Sequence, residues 1–186
     1  TCALGAHKIE CELGTTVPPE KLPSALVNGT VVCVDETFEP VELDAPLIWK
    51  NHPSASCIHL AIYSHASKLL KQAGLEHSLK PFYIGAEFID SLRDNQCAGD
   101  SGFSSTALDC CARLVADSPK YGVRDFGQIR EEDGAVARRT HITKSGVALR
   151  LMLWQRGDEI ELANVGPKSE LRIRTGSSET AFSADY

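Results

Sequence analysis

The sequence predicts a single α+β domain made of short N-terminal strands, two main helices and a C-terminal four-stranded antiparallel meander packed on the helices. Three observations predict it. Apolar residues recur at helical spacing between Ser54 and Gly74, and again between Ser104 and Pro119. From Val136 onward the period changes to two, with turn residues at Lys144-Ser-Gly146, Arg156-Gly-Asp158 and Gly166-Pro-Lys168. The length of 186 residues, 42% hydrophobic and 24% charged, suits one core of ordinary size.

The elements follow in chain order. In the first fifty residues His7–Leu13, Thr30–Val34 and Phe38–Leu43 read as short strands, kept short or at an edge by Pro18, Pro19, Pro23, Pro40, Pro46 and Pro53. Residues 1–50 are therefore expected to form a strand-rich appendage within the one domain, 1–186. Pro53 and Ser54 open the first long helix, in which Ile58, Ile62, Leu69 and Ala73 share a face and Gly74 supplies the stop. Pro81–Gly85 reads as a short strand or turn, and Glu87–Leu92 as a short helix. Ser104 or Ser105 caps the second long helix, with Ala107, Leu108, Cys111, Leu114 and Val115 facing the core.

The meander strands are Val136–Thr143, Val147–Trp154, Glu159–Val165 and Glu170–Arg174. In the second, Val147, Leu149, Leu151 and Leu153 point to the core, while Ala148, Arg150, Met152 and Trp154 point away. Trp49 and Trp154 read as core or interface anchors. The Ser/Thr/Ala-rich tail 175–186 reads as loose.

Composition narrows the function classes. No apolar run approaches the roughly 20 residues of a membrane span, and 14 Gly with 9 Pro exclude fibrous and low-complexity readings. The net charge is −6 but unevenly placed: residues 1–92 hold six Lys, no Arg and eleven acids. The stretch Gly134–Arg156 carries Arg138, Arg139, Lys144, Arg150 and Arg156 with no acid. These five are the candidate binding residues, for a protein or an anionic surface, while the acidic overall balance argues against nucleic acid.

Seven cysteines accompany a single methionine. Cys2, Cys11, Cys33, Cys57, Cys97 and Cys110 are disulfide candidates, and the odd count leaves one thiol over. A bridge from Cys97 to Cys110 or Cys111 would close a loop contributing about 3 kcal/mol on the chain-entropy argument. The start at Thr1 without an initiator Met, the cysteines and the Asn28-Gly-Thr30 acceptor pattern fit a mature secreted chain. No C-x-x-C, H-E-x-x-H or phosphate-cradling glycine loop is present, so no metal or cofactor is expected.

Three local resemblances bear on function. The residues Cys97, Gly99, Asp100, Ser101, Phe103, Asp109, Cys110 and Leu114 resemble a stretch in secreted fungal killer toxins and related effectors of plant-pathogenic fungi. That resemblance implies an α/β-sandwich protein acting by binding, with no catalytic set. Asp109-Cys-Cys-Ala-Arg-Leu-Val115 is similar to the helix start of NlpC-type cysteine peptidases, which implies Cys110 or Cys111 as nucleophile and His141 as its partner. Gly102–Thr106 with Glu159 and Glu161 is similar to the Ser-Thr-Ser strand and Glu-x-Glu pair of mono-ADP-ribosyltransferases. The leading expectation is a secreted, partly disulfide-bonded binding protein of toxin or effector type. A cysteine hydrolase is the enzyme alternative, and a viral or structural assembly subunit would also be acidic, trimmed and poor in motifs.

Overall fold

Strands buried on both faces need partners along their edges and cover on each side, and β-structure at Leu149–Arg156 and Glu159–Pro167 finds both within a five-stranded sheet. A computed structural model describes residues 43–51, 54–75, 79–117, 122–144, 146–176 and 181–184. The strands expected at His7–Leu13, Thr30–Val34 and Phe38–Leu43, together with Cys2, Cys11, Cys33 and the Asn28 acceptor, lie outside the described residues except for Leu43.

In order the elements are α1 (Ala45–Asn51), α2 (Ala55–Ala73), β1 (Phe82–Ile84), α3 (Phe88–Asp94), α4 (Ser104–Val115), β2 (Arg124–Ile129), β3 (Val136–His141), β4 (Leu149–Arg156) and β5 (Glu159–Pro167). The sheet order is β1-β5-β4-β3-β2, with β1 parallel to β5 and the other pairs antiparallel. The α+β class and a meander of β3, β4 and β5 agree with the sequence reading.

The helices form as their end signals dictate. The Ser54 hydroxyl accepts a hydrogen bond from Cys57 N at 3.2 Å, and Gly74 closes α2 in the left-handed conformation with φ of 65°. The inner face of α2, with Ile58, Ala61, Ile62, Ala66 and Leu70, joins α3, α4 and the sheet residues Leu149, Leu151, Leu153, Ile160 and Leu162 in the main core. His59, fully within that core, stacks on Phe82 with ring centroids 4.0 Å apart and meets Phe182 edge-on.

Several expectations are corrected. The appendage does not extend to residue 50: Ala45–Asn51 is a helix, with Ala45 and Trp49 buried in the main core. Trp49 Nε1 donates to the Cys97 carbonyl at 3.0 Å, which fixes α1 against the loop before α4. Val147 is 55% exposed because β4 starts at Leu149, after a turn in which the Thr143 hydroxyl accepts from Leu149 N.

The fourth meander strand is not Glu170–Arg174. β5 already has β1 on its far edge, so the chain after Pro167 crosses the second face of the sheet instead. There Arg174 N donates to Asn164 Oδ1, Trp154 Nε1 donates to the Arg174 carbonyl, and Gln128 donates to the Leu171 carbonyl. Ile173 caps a smaller cluster of Ala135, Ala137, Met152, Trp154 and Ala163. The remaining sheet position is filled by β2, which pairs with β3 across an irregularity at Gly127.

The tail is not loose throughout. Phe182 forms an antiparallel bridge with Ile84, exchanging hydrogen bonds of 2.8 and 2.9 Å. Where β1 ends, α3 takes over the edge of β5: Ser91 Oγ accepts from Val165 N, and Asn95 Nδ2 donates to the Val165 carbonyl. Gly85 makes this handover possible, since a Cβ there would stand 2.8 Å from the Leu162 carbonyl.

Replacing Trp49 by Ala is expected to cost about 3–5 kcal/mol in urea unfolding, as for other large core truncations. Trp49→Phe, which removes mainly the Nε1 donor, is expected to cost about 1–2 kcal/mol. A cost below about 1 kcal/mol for Trp49→Ala would show that α1 is not part of the core.

Candidate functional site

The pleat of β3 divides the basic strip. Successive side chains alternate, so Arg139 and His141 share the second face with Ala137, while Arg138 and Thr140 point the other way. Across the strands Arg124 stands opposite Arg139, and Arg150 opposite His141. Lys144, in the turn after β3, adds its charge near His141. Of the five candidate residues, Arg139, Lys144 and Arg150 are thus brought together. Arg138 lies 3.4 Å from Asp125 on the opposite face, and Arg156, at the far end of β4, pairs with Glu159 at 2.9 Å.

Arg124 completes the cluster and was not among the sequence candidates. It sits in the polar run Arg-Asp-Phe-Gly-Gln-Ile, which reads as a loop until its register with β3 is known.

The electrostatics of this cluster are unrelieved. Partial burial lowers the His141 pKa from its usual value, and Arg150, Arg124, Lys144 and Arg139 lower it further. Burial first, then Arg139 and Arg124, also lower that of Arg150. Among the described residues none of Arg124, Arg139, Lys144 and Arg150 forms an ion pair, in contrast to Arg138 and Arg156. The Arg139 guanidinium lies 4.7 Å over the Phe126 ring, and Arg150 Nη1 donates to the Lys168 carbonyl. His141 Nδ1 and Arg150 Nε are buried without a hydrogen-bond partner. Like charges directly opposite on a sheet are destabilising, as are unpaired buried polar atoms. An anion placed here would relieve both.

The cysteine–histidine pair does not assemble. Cys110 Sγ faces the His141 backbone carbonyl at 3.8 Å, and the His141 imidazole is on the other face of the sheet, beside the arginines. Cys97, Cys110 and Cys111 are fully buried. Burial pushes the Cys97 thiol up to about 12, and it raises Cys110 and Cys111 further, helped by Asp109 and Cys97 at Cys110 and by the neighbouring thiols at Cys111. A nucleophilic cysteine needs the opposite shift.

Nor does the bridge from Cys97 to Cys110 or Cys111 form. Cys57, Cys97, Cys110 and Cys111 are free thiols, and Cys97 Sγ turns toward the Asn95 carbonyl while Cys110 turns toward β3. The physical reason is that these thiols serve as small apolar side chains of the core.

The Glu159 and Glu161 pair shares a face as expected, but Ser104–Thr106 opens α4 and is not a strand. Glu161 is buried, and its Oε2 accepts from Arg130 Nη1 at 2.7 Å. Arg130 also grips Asp133 with two bonds of 2.9 and 2.6 Å, reaches the Thr175 carbonyl, and lies 5.2 Å over Trp154. Beside this group a cleft of about 250 Å³ opens between Tyr83, Trp154, Arg156 and Glu159. Every nitrogen of Arg130 is engaged within the chain, so the group is a strut that holds the C-terminal crossing segment down. Burial raises the Glu161 pKa in spite of Arg130, whereas Arg130 lowers that of Asp133 from 3.8 to about 2.

The segment Cys97–Phe103 forms successive turns, with Gly99 at φ of 64° and Asp100 paired to Lys50. A second cleft of about 430 Å³ lies between these turns, α1 and the start of α4. Among the described residues no group of three His, Cys, Asp or Glu is placed to hold a metal ion, and no helix is long and apolar enough to cross a membrane.

Two outcomes are expected. With iodoacetamide at neutral pH, mass mapping is expected to find Cys57 labelled in the native protein and Cys97, Cys110 and Cys111 labelled only after unfolding, with no change on His141→Gln. Fast labelling of Cys110 that depends on His141 would restore the hydrolase. The Asp133 contribution is present above its unfolded pKa of 3.8 and is lost as pH falls toward 2. Asp133→Asn is therefore expected to cost about 2 kcal/mol at neutral pH and to flatten the acid limb of the stability curve.

No protein-family model matches the chain, and no curated protein or solved structure is similar enough to it to carry a function across.

Proposed function

We propose that this protein acts by binding, and that an acidic partner protein docks on the cluster of Arg124, Arg139, His141, Lys144 and Arg150. The observation that supports the reading is the contrast between two sets of arginines on one molecule. Arg93, Arg113, Arg130, Arg138, Arg156 and Arg174 each pair with a carboxylate of the chain; among the described residues the clustered ones do not, and the one other unpaired arginine, Arg172, is exposed to solvent. Cations gathered at a cost to the free protein are the usual mark of a site for an anion.

The reading keeps a secreted, extracytoplasmic binder as the working proposal. A disulfide would then fall among Cys2, Cys11 and Cys33, since Cys57 is a free thiol and the other three are packed in the core. A rise in intact mass on reduction supports that compartment, and seven free thiols in the unfolded, unreduced protein would remove it.

Docking is tested with an acidic peptide such as poly-glutamate, titrated at low and high salt. Binding is expected to weaken as salt rises and to be lost in the double variant Arg139→Glu with Arg150→Glu, while Arg138→Glu and Arg156→Glu retain it. Arg150→Gln is expected to weaken binding yet raise thermal stability, by roughly 0.2–1 kcal/mol, because it removes a like-charge neighbour from the sheet. Equal losses in all four positions would mean that the peptide reads overall charge and not this cluster.

A further inference from the structure

We infer that Arg124, Arg139, His141 and Arg150 form a seat for a single tetrahedral oxyanion, a phosphoryl group borne on a side chain of the partner. The inference rests on the docking reading and narrows its chemistry.

Geometry is the first support. Arg124 faces Arg139 and His141 faces Arg150 across the strands, at the roughly 5 Å spacing of paired residues, and Arg139 and His141 are neighbours along β3 on the same face. Four cationic or proton-bearing groups on three adjacent strands thus lie side by side on one face, with Arg150 Nη1 held by the Lys168 carbonyl and the Arg139 guanidinium over Phe126. A planar carboxylate offers two oxygens and is satisfied by one guanidinium fork. A phosphoryl group offers three oxygens around a centre and can meet forks from several directions.

Charge is the second support. The groups that face His141 are Arg139 on its own strand, Arg124 on β2, Arg150 on β4 and Lys144 in the following turn, all of them cations. Asp125, next to Arg124 in sequence, is directed to Arg138 on the other side of the sheet, and Asp133 is held by Arg130. A phosphoryl monoester carries a charge of about −1.5 to −2 at neutral pH, against −1 for a carboxylate, and so offsets more of this excess.

The third support is the pair of orphaned atoms. His141 Nδ1 and Arg150 Nε are the polar atoms of the cluster left buried with no hydrogen-bond partner. Arg150 Nε is always a donor, and His141 Nδ1 donates when it carries a proton.

A proton linkage follows. In the free protein burial first, and then the surrounding cations, lower the His141 pKa from its usual value of 6.5 and favour the neutral imidazole at neutral pH. A seated dianion favours the imidazolium, so binding takes up a proton. Affinity then rises as pH falls through the interval between the bound and free pKa values, and levels off below the free one. Sulfate remains a dianion throughout this interval, so its pH dependence reports His141 alone.

The test uses the intact chain, with the His141 imidazole followed by NMR, and three probes: inorganic sulfate, a phosphoserine peptide and its unmodified acidic form. The expected result is saturable sulfate binding that shifts the His141 resonance to its protonated position and strengthens about tenfold between mildly alkaline and mildly acidic pH. Arg139→Gln and Arg150→Gln should abolish it, Arg138→Gln should leave it, and His141→Gln should flatten the pH profile. The phosphoserine peptide should bind at least about tenfold tighter than the unmodified one. If both peptides bind equally and sulfate does not move His141, the oxyanion seat is overturned and docking of an acidic partner stands. If no probe binds, both readings fall together. Because the NMR readout is made on the unaltered protein, a variant that misfolds does not blur the result.

Discussion

Strand β5 has to satisfy its backbone on both edges and bury both faces, and most of the architecture answers that requirement. One edge takes β4 in antiparallel register from Arg156–Glu159 to Leu149–Pro167. The other edge takes β1 over Ile160–Leu162, and beyond that the side chains of Ser91 and Asn95 serve the Val165 amide and carbonyl. Each buried peptide group left without a partner would cost about 1–3 kcal/mol. The position of α3, the need for glycine at 85 and the diversion of the chain after Pro167 all follow. With no edge of β5 left free, residues 170–176 lie across the sheet and become the cover of its second face.

That second face carries charge at both ends, handled in opposite ways. At one end Arg130 is locked between Asp133, Glu161 and Trp154, a closed set in which the cation is matched within the chain. At the other end Arg124, Arg139 and Arg150 lie around His141, and no carboxylate among the described residues pairs with them. A buried ion pair does not by itself reveal function, since breaking it is costly whatever its purpose. An unmatched group of cations is different, because it lowers the stability of the free protein. The two ends therefore separate a charge matched within the chain from the unmatched charge on which the docking proposal rests.

Much of the fold could be read from the sequence, for physical reasons that also explain the remainder. α2 and α4 were legible because their apolar stripes repeat at helical spacing and Ser54 and Gly74 mark ends. β3, β4 and β5 were legible because alternation is strong and the turns carry glycine. α1 was hidden by Pro46, which is tolerated near a helix start, and by the brevity of seven residues. β2 was hidden because its residues are mostly exposed, so alternation leaves no apolar trace. Glu170–Arg174 does alternate, but it packs one side chain, Ile173, on a sheet face instead of pairing at an edge. The candidate site was half legible: the strip from Arg138 to Arg156 was visible, but only the register of β2, β3 and β4 tells that Arg139 and Arg150 share a face with Arg124 while Arg138 and Arg156 lie elsewhere.

The bridge between Phe182 and Ile84 has a temporal consequence. β1 lies near the middle of the chain, yet its two neighbours are supplied by β5 and by residues close to the C-terminus. During synthesis the helices emerge first, with their inner faces uncovered, and the strand that must flank β1 comes only after the whole meander. The edge of β1 away from β5 is paired only after Phe182 has been made, so the nascent chain passes through a long stage in which apolar helices lack their completed sheet.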